Sequence, residues 1–255
     1  MNILTLHSLS TIPSWHAEAL EHGAVILIDK DLNWTSFDVV AKLRRILGIK
    51  KIGHAGTLDP LATGLLIVCV GRPATKLITQ YQNSSKVYQA IIKLGASTIS
   101  YDCETEESTF ADIPDSITKD SIQIILDSFI GETKQIPPMF SALKKNGIPL
   151  YKKARKGIQE EIEPRTITIH SISLDEFNDN TLRITVHCSK GTYIRSLARD
   201  IAEKLGTVGY LTALRRISSG EFMVSDALTI QDFEQSFNIA TMDSSLIQQQ
   251  IQGSR

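Results

Sequence analysis

A chain of 255 residues, 42% of them hydrophobic, is long enough to bury a full core and carries a formal net charge of only −1. No run approaches the roughly 20 consecutive apolar residues of a membrane helix, and Met1 to Ser10 lacks the basic start of a secretory leader, so a cytoplasmic protein with no membrane partner is expected. Cys69, Cys103 and Cys188 stand far apart without a Cys-x-x-Cys pair, which argues against a disulfide scaffold and for reduced thiols.

Taken in chain order, the pattern alternates strands and helices without repeats and reads as mixed α/β. Ala24 to Ile28 is an apolar run suited to a buried strand. After a polar turn, Thr35 or Ser36 is placed to cap a helix with Val40, Leu43 and Leu47 on one face, ended by Gly48. That region also carries Lys42, Arg44, Arg45, Lys50 and Lys51 with no acid among them. Leu65 to Val70 is a second apolar run, and Tyr88 to Leu94 is rich in strand formers. From Asp102 to Glu132 the chain is acidic, with Lys119 its only cation, and Ile122 to Ile130 has a helical pattern that stops at Gly131. The sign then reverses: Lys134, Lys144, Lys145, Lys152, Lys153, Arg155 and Lys156 follow with no acid between them. Such runs are commonly solvated surface, but if they converge on one face they neutralise phosphates and make binding salt-dependent. Leu182 to Cys188 alternates as a half-buried strand, and Tyr193 to Leu205 is the clearest helix, with Ile194, Leu197, Ala198, Ile201 and Leu205 in one stripe and Gly206 as terminator. Arg195 lies off that stripe in the first turn, after the Lys190-Gly191-Thr192 bend, where its guanidinium suits a buried carboxylate partner.

The segment richest in chemistry is Gly53-His54-Ala55-Gly56-Thr57-Leu58-Asp59-Pro60-Leu61-Ala62-Thr63-Gly64. Its glycines permit close backbone approach, Pro60 stiffens the chain beside Asp59, and His54 and Thr57 offer hydrogen bonds. From the residues alone, Asp59 is either a reactive carboxylate or a turn and cap residue. A phosphate-binding P-loop is excluded, because no Gly-Lys-Ser/Thr follows the glycines.

The stretch from Gly53 to Leu66 resembles the signature motif of the TruB family of tRNA pseudouridine-55 synthases, with Asp59 in the place of the family's essential aspartate. Ile28-Asp29-Lys30 with Trp34-Thr35-Ser36 resembles the first family motif, and Lys86-Val87-Tyr88 resembles the segment of the active-site tyrosine. Gln135-Ile136-Pro137-Pro138-Met139-Phe140-Ser141-Ala142 is similar to Gln-x-Pro-Pro-x-Tyr-Ser-Ala, and Gly191-Thr192-Tyr193-Ile194-Arg195 to a further motif. Leu214-Arg215-Arg216 and Gly220-Glu221-Phe222 continue the match.

The resemblance implies an α+β pseudouridine synthase fold, with a mixed, largely antiparallel sheet flanked by helices and a basic, thumb-like insertion at about 134–165. It implies isomerisation of a flipped-out uridine in the T-arm loop of tRNA, a reaction that needs no metal and no redox cofactor. Asp59 would act by attack on ribose C1′, by attack on uracil C6, or in proton abstraction. By resemblance Arg195 pairs with Asp59 and keeps it ionised, the alternative being a structural salt bridge. Tyr88 stacks on the base, His54 supports the flipped nucleotide, Leu214 walls the uracil pocket, and Tyr193, Lys30 and Lys76 support the site; each is otherwise an ordinary strand, core or surface residue. Lys144, Lys145, Lys152, Lys153 and Arg155 would meet RNA phosphates, so joint mutation of Lys152 and Lys153 is expected to lower affinity and flatten its salt dependence.

Lys30-Asp31 stands where the family has Lys-Pro, and Phe140 where it has tyrosine. The domains expected are an N-terminal extension over 1–22, a catalytic domain over 23–224, and a tail over 225–255, a short helix or partly disordered, too short for a PUA domain. A stand-alone monomer without guide RNA is expected. The alternatives are a guide-RNA-dependent synthase of the archaeal and nuclear branch, and a catalytically silent tRNA-folding protein; an aspartyl-phosphate enzyme is disfavoured by the lack of its motifs.

Overall fold

The computed structural model describes residues 1–253, with side chains to Met242. The chain forms two compact units, Met1–Ser84 with Arg215–Arg255, and Ser85–Leu214.

In the first unit, β1 (Asn2–Leu4) lies parallel to β2 (Ala24–Lys30), and α1 (Ile12–Glu21) connects them. From Ala24 to Ile28 β2 is apolar because both its faces are covered: Ala24, Ile26 and Ile28 join one core cluster, Val25 and Leu27 another. α2 (Ser36–Leu47) begins with reciprocal hydrogen bonds, Asp38 N–H to Thr35 Oγ1 at 3.0 Å and Thr35 N–H to the Asp38 carboxylate at 2.8 Å. It ends at Gly48, whose φ of +68° is the left-handed cap foreseen for a glycine. β3 (Ile52–Ala55) and β4 (Ala62–Val70) pair antiparallel, β4 also pairs with β2, and α3 (Arg72–Thr75) and α4 (Ile78–Gln82) follow.

The second unit starts with β5 (Lys86–Leu94), the ribbon of β6 (Ala96–Thr98) and β7 (Glu107–Phe110), and α5 (Lys119–Asp127). α5 starts and stops three residues before the sequence pattern suggests, because Thr118 caps it and Ser128 takes the C-terminal position. Next come β8 (Gly131–Gln135), the short hairpin of β9 (Lys144–Lys145) and β10 (Ile148–Pro149), and α6 (Leu150–Ala154). β11 (Arg165–Asn178) and β12 (Thr181–Cys188) complete the antiparallel order β5-β12-β11-β8. α7 (Ile194–Lys204) lays Leu197, Ala198 and Ile201 against inward-facing Leu182, Ile184 and Val186 of β12. β13 (Gly209–Ser219) begins in this unit and ends in the first.

There the chain adds β14 (Phe222–Met223) and α8 (Ile230–Gly253). Phe233 of α8 meets Trp15 of α1 edge-on, ring centroids 6.2 Å apart, and both are fully buried. The segment left without a role by the sequence, residues 1–22, thus supplies Leu4, Ile12, Trp15 and Ala19 to the core. The expected tail is largely one helix; Ser254 and Arg255 lie outside the described residues. The expected class, mixed with mainly antiparallel pairing flanked by helices, is borne out. Among the described residues no helix is long and apolar enough to cross a membrane.

Candidate active site

Asp59 sits half-buried in the loop between β3 and β4, and the backbone on both sides of it is held. Ser36 Oγ, at the start of α2, donates to Leu58 O at 3.1 Å and accepts from Leu58 N–H at 2.9 Å. On the other side Asn33 N–H donates to Pro60 O at 2.9 Å, and the loop closes with Ala62 N–H on Asp59 O at 3.0 Å. A strand follows, so the capping role open to Asp59 from sequence is not the one it has.

Lys30 ends β2 fully buried, its ammonium donating to Asp31 O at 2.9 Å, Trp34 O at 2.7 Å and Pro60 O at 3.4 Å. Burial pulls this ammonium down to about 8, opposed by the carboxylates of Asp59 and Asp31. Arg216, also buried, donates to Leu65 O at 2.6 Å and Gly56 O at 3.1 Å, bracing the loop from β13. Gly64 has φ +100°, and a Cβ there would fall 2.3 Å from Arg216 O, so this position admits no side chain. His54 is held below the ordinary histidine range by burial and by the Arg216 charge, and its buried Nδ1 has no hydrogen-bond partner. Lys76 is exposed after α3 and, with Lys51 and Arg72, lines an open cavity of about 330 Å³.

In the second unit Arg195 is only 4% exposed. Its guanidinium donates to Ser100 O at 3.2 Å and Phe140 O at 2.8 Å, and its Nε lies 3.4 Å from the buried Asp102 carboxylate, an acid the sequence did not single out. Tyr193 caps α7, with the Arg165 guanidinium 4.7 Å from its ring centroid. Gln135 fixes that cap, donating to Tyr193 O at 3.0 Å and accepting from Tyr193 N–H at 2.8 Å. Tyr88 on β5, opposite Val186, and Leu214 on β13 are half-buried against this unit's core.

The basic insertion begins at the same helix end, since Ser196 Oγ donates to Ile136 O at 2.8 Å. Its five expected phosphate contacts are not alike. Lys153 is buried and pairs with Glu160 at 2.5 Å, Lys145 pairs with the same carboxylate at 3.0 Å, and Arg155 pairs with Glu104 at 2.5 Å. Lys144 and Lys152 are exposed and have no ion-pair partner among the described residues.

Residues 44–194 match the model of the TruB family pseudouridylate synthase N-terminal domain, and 195–253 that of the tRNA pseudouridylate synthase B C-terminal domain. The chain belongs to the TruB family. It is 50% identical over 212 residues to the tRNA pseudouridine synthase B of Clostridium perfringens (strain 13 / Type A), covering 82% of this chain and 71% of the relative. With that of Francisella philomiragia it shares 46% identity over 239 residues, 91% of this chain and 78% of the relative. Among solved structures it resembles the archaeal box H/ACA sRNP Nop10-Cbf5 complex (TM-score 0.66, 27% identity, 89% of this chain and 58% of that chain). A Cbf5-Nop10-Gar1 complex is similar as well (TM-score 0.70, 28% identity, 91% and 58%). TruB membership places the chain among the pseudouridine synthases, isomerases that exchange a glycosidic C–N bond for a C–C bond.

Proposed function

We propose that this TruB chain converts a uridine in the T-arm loop of tRNA, position 55, to pseudouridine, with Asp59 as the reacting carboxylate and no guide RNA. The observation that carries this is the loop pinned at Leu58 and Pro60, which leaves the intervening Asp59 side chain on a fixed backbone, as near-attack geometry demands. Identity of 46 to 50% with chains named tRNA pseudouridine synthase B, against 27 to 28% with the Cbf5 complexes, favours the stand-alone reading over the guide-dependent one.

In this reading the uridine is extruded from its loop, because its reacting carbons are inaccessible within a stack. The C1′–N1 bond breaks, the uracil turns, C1′ bonds to C5, the C5 proton leaves to solvent and the released N1 takes up a proton; no electron is gained or lost. Asp59 contributes by attack at C1′ or C6, or as a base. Arg195 is the cation assigned to Asp59, and its fixation by Ser100, Phe140 and Asp102 supports a rigid role. His54, neutral at pH 7 because its pKa is depressed, suits support of a flipped nucleotide, while Tyr88 stacks on the uracil and Leu214 walls it. Tyr193, Lys30 and Lys76 support the site, and the exposed Lys144 and Lys152 meet phosphates. Incubating the purified chain with an unmodified T-arm stem-loop and mapping pseudouridine tests the assignment: modification at the single T-loop uridine is expected, and none, or modification only when a guide is added, would overturn it.

A further inference from the structure

We propose that Phe37 and Arg44 form a stacking platform for an unpaired nucleobase flanking the reacting uridine. The inference rests on the RNA-loop substrate argued above and deepens it. Phe37 stands in the first turn of α2 with 62% of its surface exposed. Its chain neighbour Ser36 is the residue that clamps Leu58, so Phe37 stands one residue along the chain from the anchor of the loop that carries Asp59. Seven residues on, on the same helix face, the Arg44 guanidinium lies 5.7 Å from the ring centroid. It is oriented by donation from Nη2 to Ile52 O at 2.8 Å, and its buried Nε has no hydrogen-bond partner.

The surrounding charge fits a polyanion. Arg45, Lys50 and Lys51 are exposed and without ion-pair partners among the described residues. The neighbouring acid, Asp38, is turned back onto Thr35 N–H and Oγ1, and Lys42, paired with Glu234 at 2.5 Å, is set apart from the group. A planar ring beside a planar cation, edged by free cations, is the combination that binds single-stranded loops, where bases stack on aromatic and guanidinium planes while lysines and arginines take the phosphates.

The test measures Kd and single-turnover rates for an unmodified T-arm stem-loop and for versions with one abasic nucleotide at each loop position, using the wild type, Phe37→Ala and Phe37→Trp. Phe37→Ala is expected to weaken binding about tenfold or more, to raise KM well beyond its effect on kcat, and to be rescued by tryptophan. One abasic position should weaken wild-type binding yet cost Phe37→Ala nothing further, a non-additivity that a purely structural role would not produce. Wild-type affinity in Phe37→Ala, or additive losses at every position, would overturn the platform. Absence of wild-type conversion with these binding differences intact would count against the assigned reaction alone.

Discussion

Lys30 is a buried cation whose charge is coupled to that of Asp59. Its ammonium, lowered by burial to about 8 from the ordinary 10.5, is protonated at neutral pH against a desolvation penalty. Because the folded value lies below the unfolded one, that penalty is fully present below about pH 8 and is relieved as pH rises from about 8 to 10.5, so the Lys30 contribution to stability improves through that window. Activity should move the opposite way, since the neutral amine no longer favours the Asp59 carboxylate. An alkaline limb of kcat/KM near pH 8 is expected in the wild type and not in Lys30→Met; the same limb in both proteins would show that another group titrates. Ser36 acts by geometry. Ser36→Ala strands the Leu58 N–H and C=O, at a cost of about 1 to 3 kcal/mol, and lets the reactive loop drift. A displacement of about 1 Å can cost roughly a hundredfold. Pre-steady-state rates should therefore show kcat falling with little change in KM, whereas an unaltered kcat would mean the clamp is dispensable.

Among the elements, α2 and α7 were legible in the sequence because each carries its own punctuation: Thr35 and Gly48 for α2, a five-residue apolar stripe and Gly206 for α7. The insertion was legible as charge but not as structure. Its pairings join Arg155 to Glu104, 51 residues upstream, and gather Lys145 and Lys153 onto Glu160, and no local pattern encodes such partners. The distinction alters what mutation should do. Lys152→Ala is expected to weaken RNA binding and to reduce the slope of log K against log salt by about 0.7 to 0.9, the share of one phosphate contact. Lys153→Ala should instead lower the stability of the insertion, because the partly buried Glu160 then keeps only Lys145. Equal salt slopes for wild type and Lys152→Ala would remove Lys152 from the interface.

Across the whole molecule, the motifs announced the chemistry better than the core. The aspartate loop, the Gln135 segment and the α7 start were all readable from sequence, and Ser36 and Arg216 stood within motifs, yet their bracing roles and that of Asp102 were not readable, because these lie in bonds to backbone or side chains distant in the chain. The first 22 residues were equally silent: Trp15 stands between the polar Ser14 and His16, and only packing against Phe233, with its indole N–H donating to Val25 O at 3.0 Å, reveals it as a central core residue. Trp15→Ala should cost about 3 to 5 kcal/mol and lower Tm by on the order of 10 °C in a thermal melt. A melt unchanged within a degree or two would mean that the N-terminal segment is peripheral to stability. The central claim, that Asp59 performs the chemistry, is tested most directly by tritium release from C5-labelled uridine in a T-arm stem-loop. Release matching pseudouridine formation is expected from the wild type, and from Asp59→Asn, shown still to bind the RNA, less than roughly a thousandth of that rate. Release by Asp59→Asn at the parental rate would contradict the account.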